Sequence, residues 1–311
     1  MTMMNAVRIH RYGGPEVLRY EGVPRPEPGT GEVLIRVHGA GVNPVDWKVR
    51  EGYARDFLKH ALPLVPGWDV SGVVEAAGPG ATRWKPGDEL FSRPDIARNG
   101  AYAEFLVVRE SEAARKPQSL DHLQAAAVPL AALTAWQALF DAAGLGPGQT
   151  VLIHAAAGGV GHFAVQLAKW KGARVIGTAS GGNQAFLRTL GADDTIDYTT
   201  TRFEEVVRDA DVVLDTMGGD TQQRSWKTLR EGGILSTILA PPPEEAVPPE
   251  KRLGYTFVQP NAEQLSEIAT LIDAGKIRTV VETVLPLPEA WYAQERSQAG
   301  HVRGKIVLQV R

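Results

Sequence analysis

The chain has 311 residues, 43% hydrophobic and 22% charged, which is ordinary globular usage and excludes a chain dominated by disorder. With 33 basic against 36 acidic residues the formal charge is -3, so the dense basic surface of a nucleic-acid binder is missing. There is no cysteine, which removes disulfides, cysteine-ligated zinc, iron–sulfur clusters and thiolate nucleophiles.

The length suggests about two domains, each able to bury its own core. Arg8, His10 and Arg11 stand where a secretory signal would need an apolar run. The most apolar tract, residues 125–146, is broken by Pro129, Gln137 and Asp141, so no membrane insertion is expected. A cytoplasmic protein is the expectation.

The first part reads as β. Residues 7–10, 33–38, 70–76 and 105–108 are short runs rich in β-branched or aromatic residues. Gly and Pro clusters at 13–15, 24–31, 63–67, 78–80 and 86–88 punctuate them, which predicts a small barrel or sandwich. Residues 123–143 are Ala/Leu-rich, with helical spacing at Leu130, Leu133 and Leu139. Strands at 151–154, 174–178, 212–214 and 234–239 then alternate with helices at 160–171, 184–190 and 222–230. Phe163, Val165, Leu167 and Ala168 are the inward residues expected of the first of these helices. That alternation predicts a parallel, doubly wound sheet. Residues 241–249 read as an exposed Pro/Glu-rich loop, followed by a helix at 263–274 and a strand at 305–310. Since β-type segments resume at the end, the first domain is expected to be discontinuous. It would take residues 1–125 and 256–311 around a second domain at 126–255.

The strongest motif joins the strand at 151–154 to the helix that follows. Ala156-x-Gly158-x-x-Gly161 is a dinucleotide fingerprint with its first glycine replaced by alanine. Such a turn aims free N–H groups and a helix N-terminus at a pyrophosphate. Ala157, Gly158, Gly159, Val160 and Gly161 are therefore candidate cofactor residues. The alternative is a plain turn whose glycines only relieve strain.

An NAD-preferring site places an acid about 20 residues after the glycine motif begins, to grip the ribose 2′-hydroxyl. Residues 176–183 contain none. Thr178, Ser180 and Asn183 offer neutral donors there, with Arg188 as a possible cation, and NADPH is the expected cofactor. Alternatively, 180–183 is only a flexible turn.

Several ordered motifs together resemble the medium-chain dehydrogenase/reductase superfamily, in its zinc-free quinone oxidoreductase (zeta-crystallin-like) branch. They are Tyr12-Gly13-Gly14-Pro15-Glu16-Val17-Leu18, Gly41-Val42-Asn43-Pro44-Val45-Asp46, Pro66-Gly67-Trp68-Asp69-Val70-Ser71-Gly72 and Lys85-Pro86-Gly87-Asp88. The glycine loop, Leu190-Gly191-Ala192-Asp193 and Arg303-Gly304-Lys305-Ile306-Val307 add to them. The resemblance implies a GroES-like β-rich catalytic domain interrupted by a Rossmann domain. Zinc-holding relatives use a Gly-His-Glu stretch and cysteines. Here the stretch is Gly67-Trp68-Asp69, tryptophan cannot ligate a metal, and no metal site is expected.

The resemblance also places Asn43 and Asp46 at the family's active-site asparagine and aspartate. Asn43 would position nicotinamide or substrate, while Lys48 or Tyr53 would be electrophile or proton donor. Asn-Pro-x-Asp is equally ordinary turn and helix-capping chemistry. Thr134 matches a position contacting the nicotinamide end, or is a helix threonine bonding its own backbone. Tyr198 matches the adenosine-site tyrosine, but Asn183 stands where the family has a phosphate-binding lysine, which weakens that clamp. Arg303 and Lys305 are further cofactor candidates, or cations that merely snorkel. His154 reads as a satisfied structural histidine. Trp47, Phe57, Trp68 and Trp291 are either a pocket for planar substrates or core.

The expected activity is metal-free hydride transfer from NADPH to a quinone or an α,β-unsaturated carbonyl. One-electron quinone reduction is a second reading, and a nucleotide-binding structural or regulatory protein with little turnover is a third. A homodimer is expected, since the family pairs edge strands of its Rossmann sheets and residues 233–239 form an apolar strand suited to that use.

Overall fold

The computed structural model describes residues 2–311, which form two compact units. One comprises the chain up to Leu130 with Gln259–Gly275 and Thr279–Arg311. The other comprises Ala131–Val258 and Lys276–Arg278.

In the first unit, Met3–Ile9 (β1) and Leu18–Pro24 (β2) form an antiparallel ribbon. Glu32–Val42 (β3) is the spine. Its inward residues Val33, Ile35 and Val37 have no exposure. Helices Pro44–Arg50 (α1) and Arg55–Leu58 (α2) follow it. Then come Val70–Ala77 (β4), Glu89–Ser92 (β5), Phe105–Arg109 (β6), Ala113–Arg115 (β7) and helix His122–Ala126 (α3). Of these strands, β5 and β7 are too short and too polar to stand out in the sequence. The predicted single helix at 123–143 is instead α3, then Pro129–Trp136 (α4), then a π-helical turn at Gln137–Ala142. Pro129 has no N–H to continue α3, so the chain restarts there.

The second unit holds six parallel strands: Thr150–Ile153 (β8), Arg174–Ala179 (β9), Asp194–Asp197 (β10), Ala210–Asp215 (β11), Leu229–Thr237 (β12) and Arg252–Tyr255 (β13). Helices Gly161–Trp170 (α5), Gln184–Thr189 (α6), Phe203–Val206 (α7) and Gly219–Ser225 (α8) connect them. The strand order is β10-β9-β8-β11-β12-β13, a doubly wound sheet. Val151, Leu152 and Ile153 are unexposed in succession, as both faces of a parallel sheet are covered. Phe163, Val165, Leu167 and Ala168 are all buried in α5 as expected.

Two expectations need correction. The helix placed at 222–230 stops at Ser225, and Leu229 already opens β12. The apolar strand at 233–239 is no bare edge, because β12 lies between β11 and β13. The edge belongs to β13.

The chain returns to the first unit with Ala262–Asp273 (α9), Val281–Pro286 (β14), Ala290–Ala299 (α10) and Lys305–Gln309 (β15). The completed sheet runs β14-β15-β3-β4-β5-β7, with β6 also on β3. Among the described residues, no helix is long and apolar enough to cross a membrane.

Candidate active site

Strand register assembles the first site. In the antiparallel β3–β15 pair Val42 faces Ile306, so the next residue, Asn43, comes level with Lys305. In the β3–β4 pair Ala40 faces Val70, which brings Gly41 level with Asp69. Gly41 has no side chain to spare there. A Cβ would stand 2.4 Å from the Ala126 carbonyl and 2.8 Å from Asp69 Oδ2.

Three polar side chains thus meet in the sheet with almost no exposure: Asn43 2%, Asp69 0% and Lys305 3%. The Lys305 ammonium donates to the Val42 carbonyl at 3.0 Å, to Asp69 Oδ2 at 3.1 Å and to Asn43 Oδ1. Asn43 Nδ2 donates to Asp69 Oδ2 at 2.8 Å. Asp69 Oδ1 accepts the Leu130 N–H at 2.5 Å. Burial pushes the Asp69 carboxyl above its ordinary range, against the pull of Lys305, Asn43 and Leu130.

Asp46 lies on α1, three residues after Asn43. Its Oδ2 accepts the Asn43 N–H and the Tyr102 hydroxyl, each at 2.8 Å. Its Oδ1 is buried without a hydrogen-bond partner. Burial pushes this carboxyl up to about 7, while Asn43, Tyr102 and Lys305 pull it down. At the far end of α1, the unexposed Arg50 donates to the Gly13 carbonyl, Gln294, Glu51 and Gln298, tying α1 to α10.

Lys48 is half-buried on α1 with its ammonium 5.6 Å from the centre of the Trp47 ring. Burial lowers its pKa. Tyr53 is 70% exposed and meets Trp47 edge-on. Of the two readings of Trp68, pocket or core, the structure gives core. The side chain is unexposed, with its indole N–H donated to the Arg98 carbonyl. Trp291 and Phe57 are exposed.

In the second unit, the turn between β8 and α5 has the form the fingerprint predicts. The N–H groups of Ala156 and Gly158 are used internally, on Thr178 and Ala155. Those of Ala157, Gly159 and Val160 make no hydrogen bond within the described residues. Gly161 packs so closely that a Cβ would stand 2.3 Å from the Ala155 carbonyl. At Gly158 the nearest atom would be 3.2 Å away. Open N–H groups on a tightly seated turn suit a pyrophosphate.

Thr178 is buried, and its hydroxyl meets His154 Nδ1 at 3.2 Å. His154 Nε2 meets Ser225 Oγ at 2.9 Å, and burial holds the imidazole down at about 4, hence neutral. His154 is thus a satisfied structural residue. Ser180 and Asn183 bond each other at the end of β9, at 3.2 Å, and Tyr198 is half-exposed one residue beyond β10. Sequence reasoning missed Asp197 here. Parallel pairing sets it level with Ala179, and its carboxylate accepts N–H bonds from Gly181 and Thr199. Thr134 is buried on α4. Arg303 is exposed in the first unit, its N–H on Glu282. The first unit also contains Lys305, whose three donors are committed beside Asn43 rather than left free for a cofactor.

Residues 29–118 match a model described as the alcohol dehydrogenase GroES-like domain, and 190–308 one described as zinc-binding dehydrogenase. Zinc does not suit the donors here: Asp69 is taken by Lys305 and Asn43, and Trp68 offers no ligand. Among the described residues, no three His, Cys, Asp or Glu side chains converge. The chain is 34% identical to a chloroplast envelope quinone oxidoreductase homolog of Arabidopsis thaliana, covering 99% of this chain and 98% of that one. It is 35% identical to the mitochondrial NAD(P)H oxidoreductase RTN4IP1 of Mus musculus, covering 99% and 90%. A solved quinone oxidoreductase from Coxiella burnetii superposes over 100% of both chains with a TM-score of 0.94 and 36% identity. A solved NAD-dependent alcohol dehydrogenase does so with 0.91 and 34%, over 99% of this chain and 100% of that one. These similarities run from end to end, and the chain belongs to the medium-chain dehydrogenase/reductase superfamily, among its quinone oxidoreductases.

Proposed function

We propose that the protein reduces quinones or α,β-unsaturated carbonyls with NADPH, by two-electron hydride transfer and without a metal. The observation that carries this reading is the β8–α5 turn, where the N–H groups of Ala157, Gly159 and Val160 stand open. Relatives named quinone oxidoreductase and NAD(P)H oxidoreductase support it. Ala157 to Gly161 would hold the pyrophosphate, and Ser180, Asn183 and Tyr198 the adenosine end. When bound, the dihydronicotinamide supplies the hydride.

The chain's own residues supply the rest. Reduction builds negative charge on the substrate oxygen, and a fixed donor must meet it. Asn43 has one Nδ2 hydrogen on Asp69 and a second with no protein partner. A nearly buried donor left unmade calls for an explanation, and a ligand oxygen provides one. Lys48 is the better placed proton donor. Its ammonium is half-buried and its lowered pKa brings it nearer neutrality, as acid catalysis prefers. Tyr53 sits on the same segment and would close over a planar substrate with Trp47.

NADPH is favoured over NADH because the end of β9 itself carries the neutral donors Ser180 and Asn183, a preference that Asp197 of the neighbouring β10 tempers. A cytoplasmic homodimer completes the proposal, with β13 as the pairing edge. Sedimentation giving a monomer at micromolar concentration would contradict the dimer. The decisive experiment follows NADPH oxidation against a panel of quinones and 2-alkenals, beside calorimetric titration with both nucleotides. Turnover with a KM for NADPH about tenfold below that for NADH is expected, the scale of one charge-assisted contact. Tight NADPH binding with no turnover would defeat the enzyme reading, and a semiquinone signal during turnover would defeat the two-electron step.

A further inference from the structure

We infer that Lys305 is a positioning residue, whose ammonium fixes and polarises the Asn43 carboxamide so that its one unspent N–H serves the substrate oxygen. The inference rests on the reductase reading above and deepens it.

An ammonium has three hydrogens. Those of Lys305 face three acceptors: the Val42 carbonyl, Asn43 Oδ1 and Asp69 Oδ2. None is left over, so this lysine is not a general acid and does not itself hold a ligand. What it does is decide which way the neighbouring amide points. In the observed orientation Oδ1 meets the ammonium and Nδ2 meets the carboxylate. A flip would set NH2 against a cation and a carbonyl oxygen against an anion, both repulsive in a site with almost no water. The pair Lys305 and Asp69 therefore holds one orientation from both sides.

The same contact changes the amide's chemistry. A cation on Oδ1 draws electron density through the conjugated C–N bond and makes the Nδ2 hydrogens stronger donors. Low dielectric enlarges that effect. Asn43 is 2% exposed, so nearly all of its carboxamide lies in that low-dielectric surrounding. A compact point charge suits three convergent acceptors better than a planar guanidinium, so lysine rather than arginine fits here.

Lys305→Met alone would strand Asp69 as an unpaired buried charge and threaten the fold. The test is the double variant Lys305→Met/Asp69→Asn, which removes both charges and frees the amide to turn. Thermal unfolding checks that it folds. Its kcat is expected to fall about a hundredfold, the cost of a lost oxyanion donor. NADPH affinity should stay within about twofold of wild type, since no cofactor contact has gone. The Asn43 side-chain NH2 resonances, identified by their loss in Asn43→Ala, should move upfield. A folded double variant with wild-type kcat overturns the inference. So does an NADPH affinity that falls in step with kcat, which returns Lys305 to the cofactor. If the wild type turns over no substrate, the reductase reading is what fails. The resonances then still decide: unmoved signals overturn the hold of Lys305 on Asn43, and displaced ones support it.

Discussion

The Tyr102 hydroxyl donates to Asp46 Oδ2 at 2.8 Å, and neither side chain is exposed at all. Asp46 therefore holds a carboxyl where water cannot solvate its charge, and its pKa rises from 3.8 to about 7. The unfolded chain releases that proton near the ordinary value. The stabilising contribution is thus complete below about pH 4 and is lost as pH rises through about 7. Its full size is on the order of 4 kcal/mol by linkage. Asp46→Asn keeps an acceptor for Asn43 and Tyr102 and cannot ionise. It should flatten the profile, gaining on wild type between pH 5 and pH 8 in urea unfolding. Parallel profiles for the two proteins would show that Asp46 is ionised throughout.

Tyr102→Phe acts on the same carboxyl from the other side. The lost hydroxyl favoured the charged form, so its removal should push the Asp46 midpoint higher. The variant should lose about 1–2 kcal/mol, the worth of a buried bond to a polar partner. A midpoint that stays fixed, followed by the pH dependence of unfolding, would mean that burial and the other neighbours set it without the hydroxyl.

Much of this was legible in the sequence, and what was not has a definable cause. The β8–α5 turn could be read because strand, glycines and helix are contiguous. That Asn43 and Asp46 lie together could be read because they share one short motif. Lys305 was visible as part of a tail motif and as a cofactor candidate, but its meeting with Asn43 depends on the register of β15 against β3. Asp197 was invisible for the same reason. The absence of an acid at 176–183 is true of the sequence, but parallel pairing of β10 with β9 brings one to the same level in space. The false edge at β12 came from β13, whose Arg-Leu-Gly-Tyr carries hardly any strand signal.

The two glycines of the turn should fail differently. At Gly161 a Cβ would meet the Ala155 carbonyl at 2.3 Å and Ala156 Cα at 2.6 Å, both backbone. Gly161→Ala should force α5 away from β8, with a loss of about 1–3 kcal/mol as in other overpacked sites. At Gly158 the single contact is 3.2 Å. Gly158→Ala should keep its melting temperature within a few degrees and weaken NADPH about tenfold or more, as its methyl enters the space a diphosphate would fill. Equal destabilisation of the two variants, without a difference in NADPH affinity, would make the turn merely structural.

Lys48 should leave its mark on the alkaline side. An acid must be protonated to act, so kcat should fall as pH rises through the Lys48 pKa, which burial sets below 10.5. Lys48→Met should lower kcat by about a hundredfold and remove that limb. A retained limb would point to Tyr53 or solvent as the proton source.

Asp197 bears on nucleotide choice. Its carboxylate lies beside the Gly181 turn, and Thr199 bonds hold its pKa below the ordinary value, so it is charged at neutral pH. A 2′-phosphate on the Ser180 and Asn183 side would approach a fixed negative charge, whereas a 2′-hydroxyl would not. The NADPH preference expected from neutral donors is therefore held down by a neighbour strand. Asp197→Asn keeps one acceptor for Thr199 and removes the charge. It should raise the ratio of kcat/KM for NADPH over NADH several-fold, with the larger change in the NADPH value and a steeper effect at low salt. An unchanged ratio across ionic strengths would place the phosphate away from this turn and leave Ser180 and Asn183 without a part in selecting the nucleotide.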